Sequence, residues 1–212
     1  MESSIETTIK VESKETIPTK ETVRAAIFHN GKFLLLKKSI DSKNPGGLEF
    51  PGGKIDETKG SVSSPEEQEQ TIVKEIQEET GISVDKNILK KVKDFKNYFE
   101  VVGKDGVTKK NKRLIHLFFV NIPDEQKISL KINETKNEKG ESEDKHKSFE
   151  WVSPDELIKL ATSLKENLDT GEQAYLLSRN SRAIKELLKE IGFIKENSTT
   201  LEEKIFVGQE NK

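Results

Sequence analysis

The sequence predicts an α+β fold or a layered α/β/α sandwich, and three observations predict it. Strand and helix signals are mixed along the chain without a regular strand–helix alternation. Leu114-Ile115-His116-Leu117-Phe118-Phe119-Val120 is nearly continuously apolar, the pattern of a central strand. Two segments, Ser64-Pro65-Glu66-Glu67 and Ser153-Pro154-Asp155-Glu156, carry the same helix-start signal: a capping Ser, Pro at the first helical position, and a Glu that closes a capping box.

Composition sets the outer limits. Of 212 residues, 32% are hydrophobic and 35% charged, enough for one compact unit with polar extensions. That unit would take roughly 140 residues. The formal net charge of -2 provides no global attraction to nucleic acid or to a membrane surface. With no cysteine, disulfides, thiolate zinc sites and cysteine nucleophiles are excluded. No apolar run approaches the ~20 residues of a membrane span, and Met1-Glu2-Ser3-Ser4 opens no apolar signal core, so a cytoplasmic protein is expected.

Taken in order, the first 21 residues are polar and read as a mobile arm. Residues 22–28 and 33–36 are apolar runs joined by His29-Asn30-Gly31-Lys32, the strongest short hairpin signal. Ser39 to Gly47 reads as a loop, and Phe50-Pro51-Gly52-Gly53 as tight turns. A helix is expected from Pro65 to Thr80, capped by Ser64 with Glu67 and stopped by Gly81, with Ile72, Val73 and Ile76 as its buried stripe. Residues 92–102 and 113–122 read as strands, 133–147 as a long charged loop, and Phe149-Glu150-Trp151-Val152 as a short strand. An amphipathic helix follows near Ser181 to Ile191, which could cover a domain edge or a homodimer contact, and then a polar end.

The helix at 65–80 holds six Glu against one Lys. Acid is favourable at its start, where the helix dipole is positive, and unfavourable at its end. Yet Glu75, Glu78 and Glu79 stand at that end, spaced i, i+3 and i+4, so their like charges share one face. A structural helix gains nothing from this arrangement. A hard divalent cation needs it, because Mg²⁺ takes oxygen ligands and is held by a few carboxylates plus substrate phosphates.

Lys74-Glu75-Ile76-Gln77-Glu78-Glu79-Thr80-Gly81-Ile82, together with the upstream Phe50-Pro51-Gly52-Gly53-Lys54, resembles the Nudix hydrolase family. The resemblance extends over residues 22–165, including Trp151-Val152-Ser153-Pro154-Asp155-Glu156-Leu157, and divides the chain into an arm (1–21), a domain (22–165) and a C-terminal helical extension with a polar tail (166–212). It implies a sandwich with a mixed central sheet. Two departures stand out. Gly53 lies about seven residues farther from Lys74 than the family spacing, so the loop from Lys54 to Ser64 carries an insertion; counting back from Lys74 instead, Glu66 and Gly60 satisfy the pattern. Lys74 also stands where the family has Arg, which keeps the charge but loses the forked geometry that holds a catalytic Glu.

The resemblance implies metal-dependent hydrolysis of a nucleoside diphosphate linked to another group. A MutT-like action on nucleoside triphosphates is the leading choice. The implied cofactor is Mg²⁺, with Mn²⁺ as the alternative, held by Glu75, Glu78, Glu79 and a backbone carbonyl at Gly53. Glu75, Glu78, Lys74 and Glu150 are the implied catalytic residues, with Glu143 a second candidate base, and Gly52, Gly53 and Lys54 are the implied substrate contacts. The competing readings are a nucleotide-sensing module that lost turnover and an RNA 5′-end pyrophosphohydrolase. The latter needs a basic channel, for which only Lys109, Lys110, Lys112 and Arg113 offer support; these read rather as a solvated hairpin tip.

Arg24 and Lys37 flank the first hairpin and read as solvated. Phe95, Tyr98, Phe99 and Trp151 read as core. His116 reads as a satisfied core histidine, His29 as a turn residue and His146 as a solvated loop residue.

Overall fold

Asn30-Gly31 turns β1 (Thr19–His29) back into β2 (Lys32–Lys38). Both turn residues have positive φ, 48° and 72°, as a two-residue hairpin loop of this hand requires. The computed structural model describes residues 19–39, 46–55, 62–102, 108–131, 146–162 and 181–194. The hairpin pairs only Phe28 with Phe33 and His29 with Lys32. Beyond these pairs the two strands separate, and the chain after Gly46 enters the gap. There β3 (Leu48–Glu49) pairs with Leu36 and Lys37 of β2. The residues after it bond to β1: Ala25 N–H donates to Pro51 O (2.8 Å), Val23 N–H to Gly53 O (3.0 Å), and Ile55 N–H to Glu21 O (3.1 Å). The Pro51-Gly52-Gly53 turn is thus bound into the sheet and cannot move as a free loop.

The far edge of β1 runs parallel to β5 (Thr108–Asn121), from Thr19↔Lys112 to Phe28↔Asn121. β4 (Leu89–Val102) lies antiparallel to β5, and β6 (His146–Val152) antiparallel to β2. The order is β3-β2-β1-β5-β4, with β6 beside β2. One parallel pair among antiparallel ones makes the sheet mixed, as expected. β1 starts at Thr19, so residues 19–21, expected in the mobile arm, are bound to β5 as strand. Other strands also reach further than their apolar runs. β4 starts at Leu89, β5 at Thr108 and β6 at His146, because cross-strand hydrogen bonds carry the Lys-rich flanks along, where alternation is invisible in the sequence. Lys109, Lys110, Lys112 and Arg113 therefore lie within β5; the turn at 103–107, like most of the charged loop, falls outside the described residues.

Helices cover both faces. α1 (Pro65–Thr80) buries Ile72 and Ile76 against Val23, Ala25, Ile27, Phe118 and Val120. On the other face, α2 (Pro154–Thr162) and α3 (Ser181–Glu190) bury Leu157, Ile158, Ile184, Leu187 and Leu188 against Phe33, Leu35 and Leu117. Each such side chain contributes about 1.5–3 kcal/mol when fully buried. The C-terminal amphipathic helix therefore covers its own domain, and Lys93–Glu186 (3.6 Å) and Lys90–Glu190 ion pairs tie it to β4. Among the described residues no helix is long and apolar enough to cross a membrane.

The caps of α1 form as read. Ser64 Oγ accepts from Glu67 N–H (3.2 Å), and Glu67 Oε2 accepts from Ser64 N–H (2.7 Å). Gly81 adopts φ 75° and donates its N–H to Gln77 O (3.0 Å). The same reciprocal box opens α2, between Ser153 and Glu156.

A polar ring, buried at Ser63, Gln68 and His116 and exposed at Lys91 and Asp94, fixes where α1 begins. Ser63, just before the cap, donates its N–H (3.1 Å to Oε2) and its hydroxyl to Glu21 of β1. Glu21 Oε2 faces His116 Nε2 (3.1 Å), and His116 Nδ1 faces Asp94 Oδ1 (2.8 Å). Lys91 Nζ joins Asp94 (2.9 Å) to Gln68 Oε1 (2.9 Å), and Gln68 donates back to Ser63 O (2.9 Å). His116 is thus the satisfied core histidine expected. Burial acts to raise the Glu21 pKa, but the hydrogen bonds from Ser63 and His116 outweigh it and hold the carboxyl below its usual value.

Candidate active site

Two adjacent glycines decide how closely the helix carboxylates approach the turn. At Gly52, φ is 145°, and a Cβ there would press on the backbone of β1, 2.9 Å from Arg24 Cα. At Gly53 a Cβ would meet the Glu75 carboxylate, with Oε2 at 2.5 Å, so that carboxylate occupies the space a side chain would need. Glu79 Oε2 accepts the Gly52 N–H at 2.8 Å. Glycine at both positions is therefore a condition for the contact between turn and helix.

Glu78 lies on the exposed side of the same face. Lys74 Nζ stands 3.7 Å from Glu78 Oε1, with 69% of the Lys74 side chain exposed. Lys74 thus reaches one carboxylate of the triad through a single long contact, worth at most about 0.5 kcal/mol in water. Lys54 is exposed beyond the turn, its backbone bridged to Thr22. The Gly53 carbonyl already accepts Val23 N–H, so a role as metal ligand would use its second lone pair.

A second cluster, which no local motif marks, abuts the triad. Glu49 of β3 is buried and receives Arg24 (3.3 Å), Lys38 (3.0 Å) and His146 Nε2 (2.8 Å). Arg24 also donates to the Gly52 carbonyl. Arg24 is therefore part-buried and committed to the turn, where solvation was expected. His146, expected in a solvated loop, is buried between Glu49 and Glu79, with Nδ1 3.6 Å from Glu79 Oε1. Burial acts to raise the Glu49 pKa, but the charge of Arg24, the His146 hydrogen bond and Lys38 prevail and bring it to about 2. For Glu79 the balance falls the other way: burial dominates and raises its pKa, despite His146, the Gly52 N–H and Arg24.

Glu150 is not brought to the triad. It pairs with Lys37 (3.5 Å), and its neighbours Phe149 and Trp151 pack on the α1 side. Strand alternation therefore turns Glu150 to the opposite face of the sheet. Glu143 and Gly60 fall outside the described residues. Glu66 is exposed in the first turn of α1 and accepts from Gln70 (3.1 Å), remote from Gly53. Phe95 is core, as expected; Trp151 is half-buried, its ring 5.9 Å from that of His29; the side chains of Tyr98 and Phe99 are outside the described set. A weak signal for the missed residues existed. Glu49 directly precedes Phe50-Pro51-Gly52-Gly53, and Arg24 is a lone charge between Val23 and Ala25.

Among the described residues no three acidic or histidine side chains already form a closed metal-ligand set. The donors nonetheless suit a hard cation. Glu75, Glu78 and Glu79 offer only oxygen, and the glycine cradle brings the Glu75 carboxylate against the turn backbone.

A family model for the NUDIX domain matches residues 18–172. No curated protein sequence matches the chain. Among solved structures, the MutT protein from Methanosarcina mazei Go1 is 20% identical, over 81% of this chain and 96% of that one, with a TM-score of 0.48. The NUDIX domain of Shewanella oneidensis NrtR, complexed with ADP ribose, is 17% identical, over 86% and 94%, with a TM-score of 0.48. A C. elegans Ap4A hydrolase binary complex is 19% identical, over 78% and 98%, with a TM-score of 0.42.

Proposed function

Because the chain belongs to the NUDIX domain family, we propose that it hydrolyses a pyrophosphate bond in a nucleoside diphosphate linked to another group, with nucleoside triphosphates as the first substrate class. The observation that carries this reading is the seating of the Glu75 carboxylate on Gly53, with Glu79 accepting the Gly52 N–H. Two carboxylates of the helix thereby meet the turn backbone directly, as a site that holds a cation between them and a phosphate chain requires.

Glu75, Glu78 and Glu79 would hold Mg²⁺ or Mn²⁺. A bound divalent ion supplies charge neutralisation for the phosphates and acidifies water to a nucleophile. The chain supplies the rest. Gly52 lets the turn lie against β1, Gly53 leaves room for the Glu75 carboxylate, and the Gly52 N–H fixes one oxygen of Glu79. Glu49 carries its charge at neutral pH, offset by Arg24 and Lys38, so the cluster behind the triad does not repel a polyphosphate as a bare carboxylate would. The base must reach the attacking water. With Glu150 on the other face, the candidates for that role are a carboxylate of the triad and Glu143, which lies outside the described residues.

The test is a panel of nucleotides with Mg²⁺, scored for phosphate and pyrophosphate. Glu79→Gln and Glu78→Gln should each lower turnover by about 100-fold or more with the fold unchanged by circular dichroism. Unaltered turnover in both would sink the metal-site reading. One observation favours a second reading, a nucleotide-binding module with little turnover: the single, exposed contact of Lys74. Nucleotide binding without hydrolysis across the whole panel would select it.

A further inference from the structure

We propose that His146 is a positioning residue: anchored on Glu49, it sets the orientation in which Glu79 meets the Gly52 N–H and the bound cation. This rests on the proposed metal-dependent function.

Three features carry it. The first is that both oxygens of Glu79 are engaged from fixed points. Oε2 accepts the Gly52 N–H (2.8 Å), and Oε1 faces His146 Nδ1 (3.6 Å). The hydrogen bond fixes one oxygen, and the longer electrostatic contact with His146, beyond hydrogen-bond distance, biases where the second one points.

The second is the rigidity of the anchor. His146 Nε2 lies 2.8 Å from Glu49 Oε1, and Glu49 is also held by Lys38 and Arg24, with only 8% of its side chain exposed. Arg24 in turn donates to Gly52 O. The chain of contacts thus closes on the same turn that receives Glu75.

The third is a β-bulge that serves to aim this side chain. β6 pairs Phe149 with Leu36 and Ser148 with Lys37, then His146 with Lys38, leaving Lys147 as the extra residue. Phe149 faces α1. Without the bulge, alternation would turn His146 to the face covered by α2 and α3. The extra residue returns it to the α1 face, beside Glu79. Bulges re-aim side chains in this way and recur next to active sites. Partners that orient a ligating carboxylate from behind the metal typically change affinity or activity by 10–100-fold.

The experiment uses the full chain. His146→Gln keeps one donor for Glu49 but cannot also face Glu79, and His146→Leu removes both contacts. Mn²⁺ binding followed by electron paramagnetic resonance should weaken about tenfold in His146→Gln, with an equal rise in the Mg²⁺ concentration needed for half-maximal turnover and an unchanged melting temperature. In parallel, the wild-type histidines can be followed by NMR without any variant; the chain has three. Mg²⁺ should shift the ring signals of His146 and leave those of His116 in place. Unmoved His146 signals at saturating Mg²⁺, or wild-type Mn²⁺ affinity in both variants, would overturn the proposal while leaving the metal-dependent function standing. Wild-type protein that binds no Mn²⁺ would overturn both.

Discussion

Replacing Gly53 by alanine places a methyl group where the Glu75 carboxylate lies, 2.5 Å from its Oε2. Gly53 does not have positive φ, so the backbone accepts alanine, and the atoms in the way are the far end of a flexible side chain. Glu75 can rotate out at little cost to the fold, and the stability change should stay under about 1 kcal/mol. The displacement is more than an ångström at a residue proposed to hold the metal. A misplacement of that size costs about 100-fold in turnover, equivalent to roughly 2.7 kcal/mol of barrier. The neighbouring substitution behaves in the opposite way. In Gly52→Ala the methyl meets the backbone of β1, which cannot move aside, and φ of 145° is strained for any residue with a Cβ. Strain and overpacking together cost about 4 kcal/mol, a large share of the stability of a typical domain. Urea unfolding and Mg²⁺-dependent phosphate release, measured on both variants, separate the cases. A Gly53→Ala protein that unfolds as readily as Gly52→Ala, or that retains full turnover, would refute the reasoning.

Acid should weaken the fold through Glu49. Its folded pKa of about 2 lies below the usual 4.5, so its contribution of about 3 kcal/mol is complete above about pH 5 and is lost as pH falls from 4.5 toward 2. Glu49→Gln should therefore be less stable than wild type at pH 7 and equal to it near pH 2; a gap that persists in acid would contradict the assignment. His116→Ala removes one of the two partners of Glu21 and leaves Ser63 as the other, and should cost about 2 kcal/mol in urea unfolding. A loss below 1 kcal/mol would mean the polar ring does not fix α1. Lys74→Arg should maintain or raise turnover with no change in stability beyond about 0.5 kcal/mol, since its contact with Glu78 is exposed; a marked fall in kcat would show that the lysine has a role the arginine cannot fill.

The sequence by itself determined the parts whose causes are local. Asn30-Gly31 specifies its hairpin because two positive φ values are needed within two residues. Ser64, Pro65, Glu67 and Gly81 specify the ends of α1 because capping bonds span no more than four residues. The spacing of Glu75, Glu78 and Glu79 follows from the helical turn alone. Only the tertiary structure decided which residues stand behind them. His146 is 97 residues from Glu49, and its direction depends on one extra residue in β6, which no local pattern announces. Glu150 reads as close to the chemistry, yet alternation along the same strand sends it to the far face. Arg24 reads as a surface charge until the opening of the hairpin admits the Gly52 carbonyl beside it. The physical reason is range. Caps and turns are satisfied by neighbours in the chain, whereas a buried charge is satisfied by whatever strand register brings within 3 Å of it.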